Sequence, residues 1–403
     1  MNTNVNSQDA GSLVGKAVDV RPVSEVENPE ELIMNCMPAF GGAFVRKIFC
    51  ILDRVITENV PLVVAISGPI TASNQHRAWL LPLIEEGYIS YITTTDAACY
   101  HDGHFGLQEE NPVREVDIEG RDLEYGKAGV IRIGNVGFDE NVLYKQDKFI
   151  SNLLQKPEFQ RKMSGTEFRN LLGQHYDRQE GRLGIKPGLL STCYKYGVPV
   201  FVGAPCDGSV YLNHVKLWAM RENGVLRHDF ELDIEREVFE SAAIHYWGLT
   251  RSPAKKLAIL ILGGGVPKNF SLQPEPFLSQ ILLLNDIDGY SFDVQIVSTN
   301  VTYGCLTSCK PAEAHTWGKV SAEALGGTTE SLEADYSTIM PLISWAIIDK
   351  KHRLFNRDAS EPGVRGYCLR NHLRLYDKLP ELTKHLLDRI TELDHVVKLK
   401  SAF

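Results

Sequence analysis

The run Pro311-Ala-Glu-Ala-His-Thr-Trp-Gly-Lys319 gathers an acid, an imidazole, an indole and an amine in one short stretch. Pro311 suits the first turn of a helix, so Glu313 to Lys319 are expected to be helical. On that helix Glu313 and Trp317 are i, i+4 neighbours on one face, and His315 and Lys319 are neighbours on another. An acid beside an indole can hold an alkylammonium through a charged hydrogen bond and a cation–π contact. A lysine set among His and apolar residues is desolvated, which lowers its pKa and leaves neutral amine to attack an imine. The same residue types also describe a surface Glu, a core Trp and a solvated Lys, and the local pattern does not choose between these. An ideal helix places Lys319 about 200° around from Trp317. Both line one pocket only if the site wraps around the helix end or Gly318 distorts the helix.

Small and polar residues also recur where apolar runs end. Leu62–Ser67 leads to Gly68-Pro-Ile-Thr71-Ala72-Ser73, and Ile89–Thr95 leads to Asp96-Ala-Ala-Cys-Tyr-His101-Asp102. Val198–Val202 leads to Gly203 through Asp207-Gly208-Ser209, Leu257–Leu262 to Gly263-Gly264-Gly265, and Val294–Thr299 to Asn300 and the lysine run. Ligands of open parallel sheets bind beyond the carboxyl ends of the strands, so five such ends suggest one shared crevice. Each loop alone is weak evidence, because loops are polar in any case. The triple glycine is not GxGxxG, so spacing alone leaves a nucleotide open. Asp96, His101, Asp102 and His104 are suitable metal-ligand types. They lack the second His/Asp strand end that a two-metal site wants, and no metal is expected. Cys305 and Cys309 form a CxxxC without further ligands, weak evidence for a metal or redox site.

These residues need elements to position them. The runs above, with Val130–Ile133, are nearly continuous in apolar character, as strands covered on both faces are. Helical spacing occupies the stretches around 72–86, 141–155, 185–196 and 231–247. Strand then helix, repeated, argues for an α/β fold with a mostly parallel central sheet and helices on both faces. No linker divides the core, so one large domain is expected over residues 28–349. A loose polar tail (1–27) precedes it, and a helical C-terminal extension without strand pattern (350–403) follows it.

Composition narrows the function classes. With 43% hydrophobic and 23% charged residues the 403-residue chain is of the globular type. A net charge of −9 argues against non-specific nucleic-acid binding and suits a cationic substrate. No apolar run nears the roughly 18 residues of a membrane span. No signal-peptide pattern opens the chain, and the scattered cysteines read as reduced, so a cytoplasmic location is expected.

Several segments, in order over about residues 38 to 347, are similar to the deoxyhypusine synthase family. They are Thr94-Thr95, Arg132-Ile-Gly-Asn135, Pro199-Val-Phe201 with Asp207-Gly208-Ser209, Leu262-Gly-Gly-Gly265 with Lys268, and Pro311-Ala-Glu313-Ala314 with Trp317-Gly318-Lys319. The resemblance implies a single large Rossmann-like domain and NAD as internal redox agent. It implies an aminobutyl group taken from a polyamine such as spermidine, carried as an imine on Lys319 and passed to an acceptor amine. The acceptor is a protein lysine in deoxyhypusine synthases and putrescine in a homospermidine-forming offshoot. The family's NAD sites fall on Thr71, Ala72, Ser73, Thr95, Asp96, Asp207, Gly264, Ser298, Thr299 and Asp335. Substrate residues fall on His101, Asp102, Asn269, Glu313 and Trp317, and a homotetramer with shared sites is implied. The chain also departs from the family. Asn269 stands where the family has a histidine base, and Leu212, Leu306 and His101 stand where it has spermidine-holding carboxylates. At about 1.5–3 kcal/mol per charged hydrogen bond, three losses would cost several powers of ten in affinity for the same donor in the same pose. His101, Asp102, Asn213 and His214 are candidates to replace them.

Overall fold

The apolar runs pair into one parallel sheet. The computed structural model describes residues 17–285, 287–355, 357, 361, 364–368 and 371–401. Its central strands are β1 (Leu62–Ile66), β2 (Tyr91–Thr94), β3 (Val200–Val202), β4 (Ala258–Leu262), β5 (Phe292–Val297) and β6 (Thr329–Glu333). They lie in the order β3-β2-β1-β4-β5-β6, and every neighbouring pair is parallel. This is the Rossmann strand order, whose direction of winding reverses between β1 and β4.

Strand alternation explains why both faces are covered. Leu62, Val64 and Ile66 join one apolar core, and Val63 and Ala65 join the other. The helices that bear on the site are α1 (Phe40–Thr57), α2 (Asp96–Gly106), α3 (Leu189–Tyr196), α4 (Ser209–Glu222), α5 (Ile234–Thr250), α6 (Gly265–Leu272), α7 (Pro311–His315), α8 (Tyr336–Leu354) and α9 (Leu375–Ile390). Residues of α1 and α8 fill the first core, and residues of α5 and α9 the second. In α9 the buried side chains are Leu375, Leu379, Leu382 and Leu386, a single apolar stripe laid on α5.

Two sequence expectations change. Val130–Ile133 is not a strand of the parallel sheet: it pairs antiparallel with Val136–Asp139 in a separate three-stranded sheet. The two residues between them, Gly134 (φ +60°) and Asn135, make a hairpin connection, which leaves no room for a crossover helix. Conversely β6, Thr-Glu-Ser-Leu-Glu, was not legible as a strand, because an edge strand carries polar residues that an apolar search passes over. No described helix is long and apolar enough to cross a membrane.

Candidate functional site

All six strands point their carboxyl ends to the same edge, and the reversal between β1 and β4 opens the sheet there. Ser67 follows β1 and Gly263-Gly264 follow β4, with φ of +66° and +70° at the two glycines. A Cβ on Gly264 would lie 2.9 Å from Pro267 and 3.0 Å from Ser67. Glycine is therefore required both for the turn and for close backbone approach. Helix α6 begins at Gly265, so its free N–H groups face the crevice, an arrangement suited to a phosphate. On the neighbouring strand end the buried Thr95 Oγ1 has no protein partner. An open helix N-terminus, two positive-φ glycines and an orphaned hydroxyl are the features a dinucleotide pyrophosphate needs, and these residues fit NAD.

The residues expected to contact that cofactor divide into two groups. Thr95, Gly264, Ser298, Thr299, Asp207 and Asp335 stand at or just beyond the carboxyl ends of five strands. Thr299 accepts a hydrogen bond from Thr307 at 3.2 Å, and Asp335 caps α8 by accepting from Ser337 N–H at 2.9 Å. Thr71, Ala72 and Asp96 are turned inward. Thr71 is fully buried and donates to the Ala98 carbonyl at 2.8 Å, and Ala72 is buried beside it. The Asp96 carboxylate accepts from Val210 N–H at 2.8 Å at the start of α4. Burial pushes this carboxyl up to about 7, against the pull of that bond. Ser73 is half-buried and donates to Ile70 O. Side-chain contact with a cofactor is thus closed to Thr71 and Ala72, because the short helix after β1 packs against α2.

From β5 the chain runs back across α6 to Lys319. Leu306 lies over Gly265, whose Cβ would meet it at 3.1 Å. The buried Lys268 ammonium of α6 donates to Gln295 Oε1 at 2.8 Å and to the Cys309 carbonyl. Helix α7 then ends at His315, so the expected helix through Lys319 is corrected. Gly318 takes φ +72°, and Lys319 N–H closes on Ala314 O at 3.1 Å. This left-handed residue cancels the 200° separation of a regular helix. Lys319 Nζ stands 5.6 Å from the centre of the Trp317 ring. The Lys319 carbonyl accepts from Tyr290 N–H at 3.0 Å, which anchors the turn beside β5. Burial holds the Lys319 ammonium below its ordinary value, while the Cys309 thiol group works the other way.

The turn depends on a single residue. A Cβ at Gly318 would meet nothing closer than Glu275 Cγ at 4.0 Å, so the cost of alanine there is backbone strain alone. Gly318→Ala is expected to lower stability by about 1 kcal/mol. It should also swing Lys319 away from Trp317, seen as slower modification of Lys319 by an aldehyde and borohydride. Gly318→Asn, which tolerates the left-handed region, should lose less than Gly318→Val.

The remaining substrate expectations fare unequally. Glu313 and Trp317 are exposed, Trp317 against Lys319, and Asn269 is half-buried one residue beyond Lys268. His101 is half-buried, its ring 4.8 Å from that of His104, and burial lowers its pKa to about 4. Asp102 is corrected: it is buried and accepts from Leu189 N–H at 2.6 Å and Leu190 N–H at 2.8 Å. It serves the start of α3 and faces no crevice. Asn213 is likewise bound to Ser151 and Asp147, and His214 stands 3.0 Å from His228. Leu212 and Leu306 are exposed, at 54% and 51%. Among the described residues no three His, Cys, Asp or Glu side chains converge as a metal ion requires. Sequence reasoning did not single out Asp293 and Gln295. The signal was present, since these two polar residues alternate with Phe292, Val294 and Ile296 in a buried strand.

The strand order and crevice define an α/β protein of the Rossmann strand order, with a partly desolvated lysine beside an indole. The sequence pattern of the family "Deoxyhypusine synthase" matches residues 32–347, and the chain belongs to that family. It is 35% identical over 343 residues to a "Deoxyhypusine synthase-like protein" of Nostoc punctiforme, covering 84% of each chain. A protein of the same description from Thermosynechococcus vestitus is 31% identical over 391 residues, 94% of this chain and 89% of that one. "Probable deoxyhypusine synthase 2" of Methanosarcina acetivorans is 27% identical over 74% of this chain and 79% of its own.

Proposed function

We propose that the protein is an NAD-dependent aminoalkyl transferase acting on a polyamine or related amine, with Lys319 as the covalent carrier. The observation that carries this reading is the Gly318 turn. It sets a half-buried amine against the Trp317 ring, in a chain of the deoxyhypusine synthase family. Glu313 and Trp317 would hold the ammonium end of the donor. The neutral amine of Lys319 attacks the donor imine, displaces the leaving amine and retains the aminoalkyl group as its own imine. An acceptor amine, either a protein lysine or a small amine as in homospermidine formation, then takes the group and frees Lys319. Gly264, Thr95, Ser298, Thr299, Asp207 and Asp335 would surround NAD, with the N-terminus of α6 at its phosphates. When bound, NAD would accept a hydride from the donor and return it at the end. Assembly as a homotetramer in the cytoplasm completes the reading.

A second reading is favoured by Asn269, an amide that takes no proton at neutral pH where the family has a base. On that reading the chain is a non-catalytic, NAD-binding subunit that supports an active partner. Incubation with NAD and a panel of amines, borohydride trapping and mass spectrometry separate the two. An aminoalkyl adduct on Lys319 is expected. Absence of any adduct with every amine, with turnover restored by a partner chain, would establish the second reading.

A further inference from the structure

At β5 lies a buried charge system that the reaction outlined above does not use. Lys268 is 4% exposed, and among the described residues its ammonium is held by neutral acceptors, Gln295 Oε1 and the Cys309 carbonyl. Asp293 is 1% exposed, shares the β5 face with Gln295, and has an oxygen, Oδ1, with no partner. The groups whose charge Lys268 feels are Cys309, Asp293, Glu313 and Cys305. Lys268 is the charge that bears on Asp293, and the charge of Asp293 is felt in turn by Lys268, Cys309 and Tyr290. Lys268 thus feels two carboxylates, one buried on β5 two residues from its acceptor Gln295 and one exposed on α7.

We infer that Asp293 acts through Lys268 as a positioning residue that decides whether Glu313 is free to hold a cationic amine. This rests on the aminoalkyl-transferase reading and deepens it. With Asp293 ionised, Lys268 is balanced by it, and the full negative charge of Glu313 is available to the substrate. With Asp293 neutral, the unbalanced Lys268 draws on Glu313 and repels a second cation. Burial pushes the Asp293 carboxyl up to about 7, with Lys268 pulling it back, so the change falls near neutral pH. For an acid raised in this way the neutral form prevails below about 7 and the charged form above it. Amine affinity therefore rises with pH through that range. The two cysteines beside Lys268 do not reproduce the effect. Burial raises the Cys309 thiol above its ordinary value, and Cys305, lowered beside Thr307, is fully exposed, so solvent screens its charge from Lys268.

The test is calorimetric titration of the full-length, NAD-loaded protein with spermidine and with putrescine at pH 6 and pH 8. Wild type is expected to bind roughly fivefold more tightly at pH 8, a modest ratio because Glu313 is exposed. Asp293→Asn, a neutral isostere, should bind weakly at both pH values, and Lys268→Gln tightly at both. The double variant should restore tight, pH-independent binding, which a merely structural role of Asp293 would not allow. A carboxyl 13C titration of aspartate-labelled wild type, assigned by loss of a signal in Asp293→Asn, should show the Asp293 carboxyl changing near pH 7, as that of Asp96 also does. If Asp293 titrates in the ordinary carboxylate range, the inference is overturned whatever the amines do. If the amines bind with the same pH dependence in Asp293→Asn as in wild type, the inference alone fails. If wild type binds neither amine at either pH, the transferase reading fails and takes the inference with it.

Discussion

Lys319→Ala is expected to lower aminoalkyl transfer by at least about a thousandfold while leaving NAD binding and the unfolding midpoint close to wild type. The size follows from losing a covalent carrier, for which no neighbouring group substitutes. Lys319→Arg should be equally inactive, because guanidinium stays protonated and offers no nucleophilic lone pair. The side chain is only half-buried and makes no ion pair among the described residues, so its removal costs little stability. Burial lowers the pKa of Lys319 from 10.5, so more neutral amine is present at a given pH than for a free lysine. Single-turnover trapping on Lys319 should accordingly rise with pH and level off below the ordinary lysine value. Wild-type transfer by Lys319→Ala would remove this residue from the mechanism altogether.

The second large effect concerns stability. Asp102→Ala is expected to destabilise the protein by about 3–5 kcal/mol, because it strips a buried carboxylate from several buried donors at once. Two of those donors are the N–H groups of Leu189 and Leu190, and His76 Nε2 stands 3.3 Å from Oδ1. Although burial alone would raise the Asp102 carboxyl, the contacts from His76, Leu190 and Leu189 hold it below its ordinary value. A carboxyl held low in the folded state contributes fully above about pH 4 and loses that contribution as pH falls through the folded value. The gap between wild type and Asp102→Ala in urea unfolding should therefore be widest at neutral pH and narrow in acid. Gly188→Ala should damage the same contact from the other side, since its Cβ would fall 2.5 Å from Asp102 Oδ1. An Asp102→Ala protein of unchanged stability that no longer binds amines would return Asp102 to the substrate site.

Asp102 and Val130–Ile133 show where sequence reasoning lost the molecule. His101 and Asp102 follow a strand end, where ligand residues belong, yet adjacent helical residues point about 100° apart. The direction that faces the interior depends on which helix packs there, and α3 comes from nearly ninety positions away. Val130–Ile133 has the apolar character of a core strand, but its partner is decided by a two-residue turn rather than by apolar content. Lys319 went the other way. Its local residue types left it indistinguishable from a solvated lysine, and the ordered set of family segments raised it.

The sequence by itself determined the parallel α/β architecture, since five of the core strands are continuous apolar runs set between helical repeats, and hydrophobic periodicity is a local property. It also determined the glycine turn after β4 and the lysine run, which are contiguous. Only the tertiary structure decided that Gly318 brings Lys319 onto the Trp317 ring, that Asp96 and Asp102 are spent on helix N-termini, and that Lys268 and Asp293 are both buried at the β5 face. Those outcomes depend on backbone direction and on contacts between distant segments. Burial and charge at a residue are set by what folds against it, which its own neighbours in the chain do not specify.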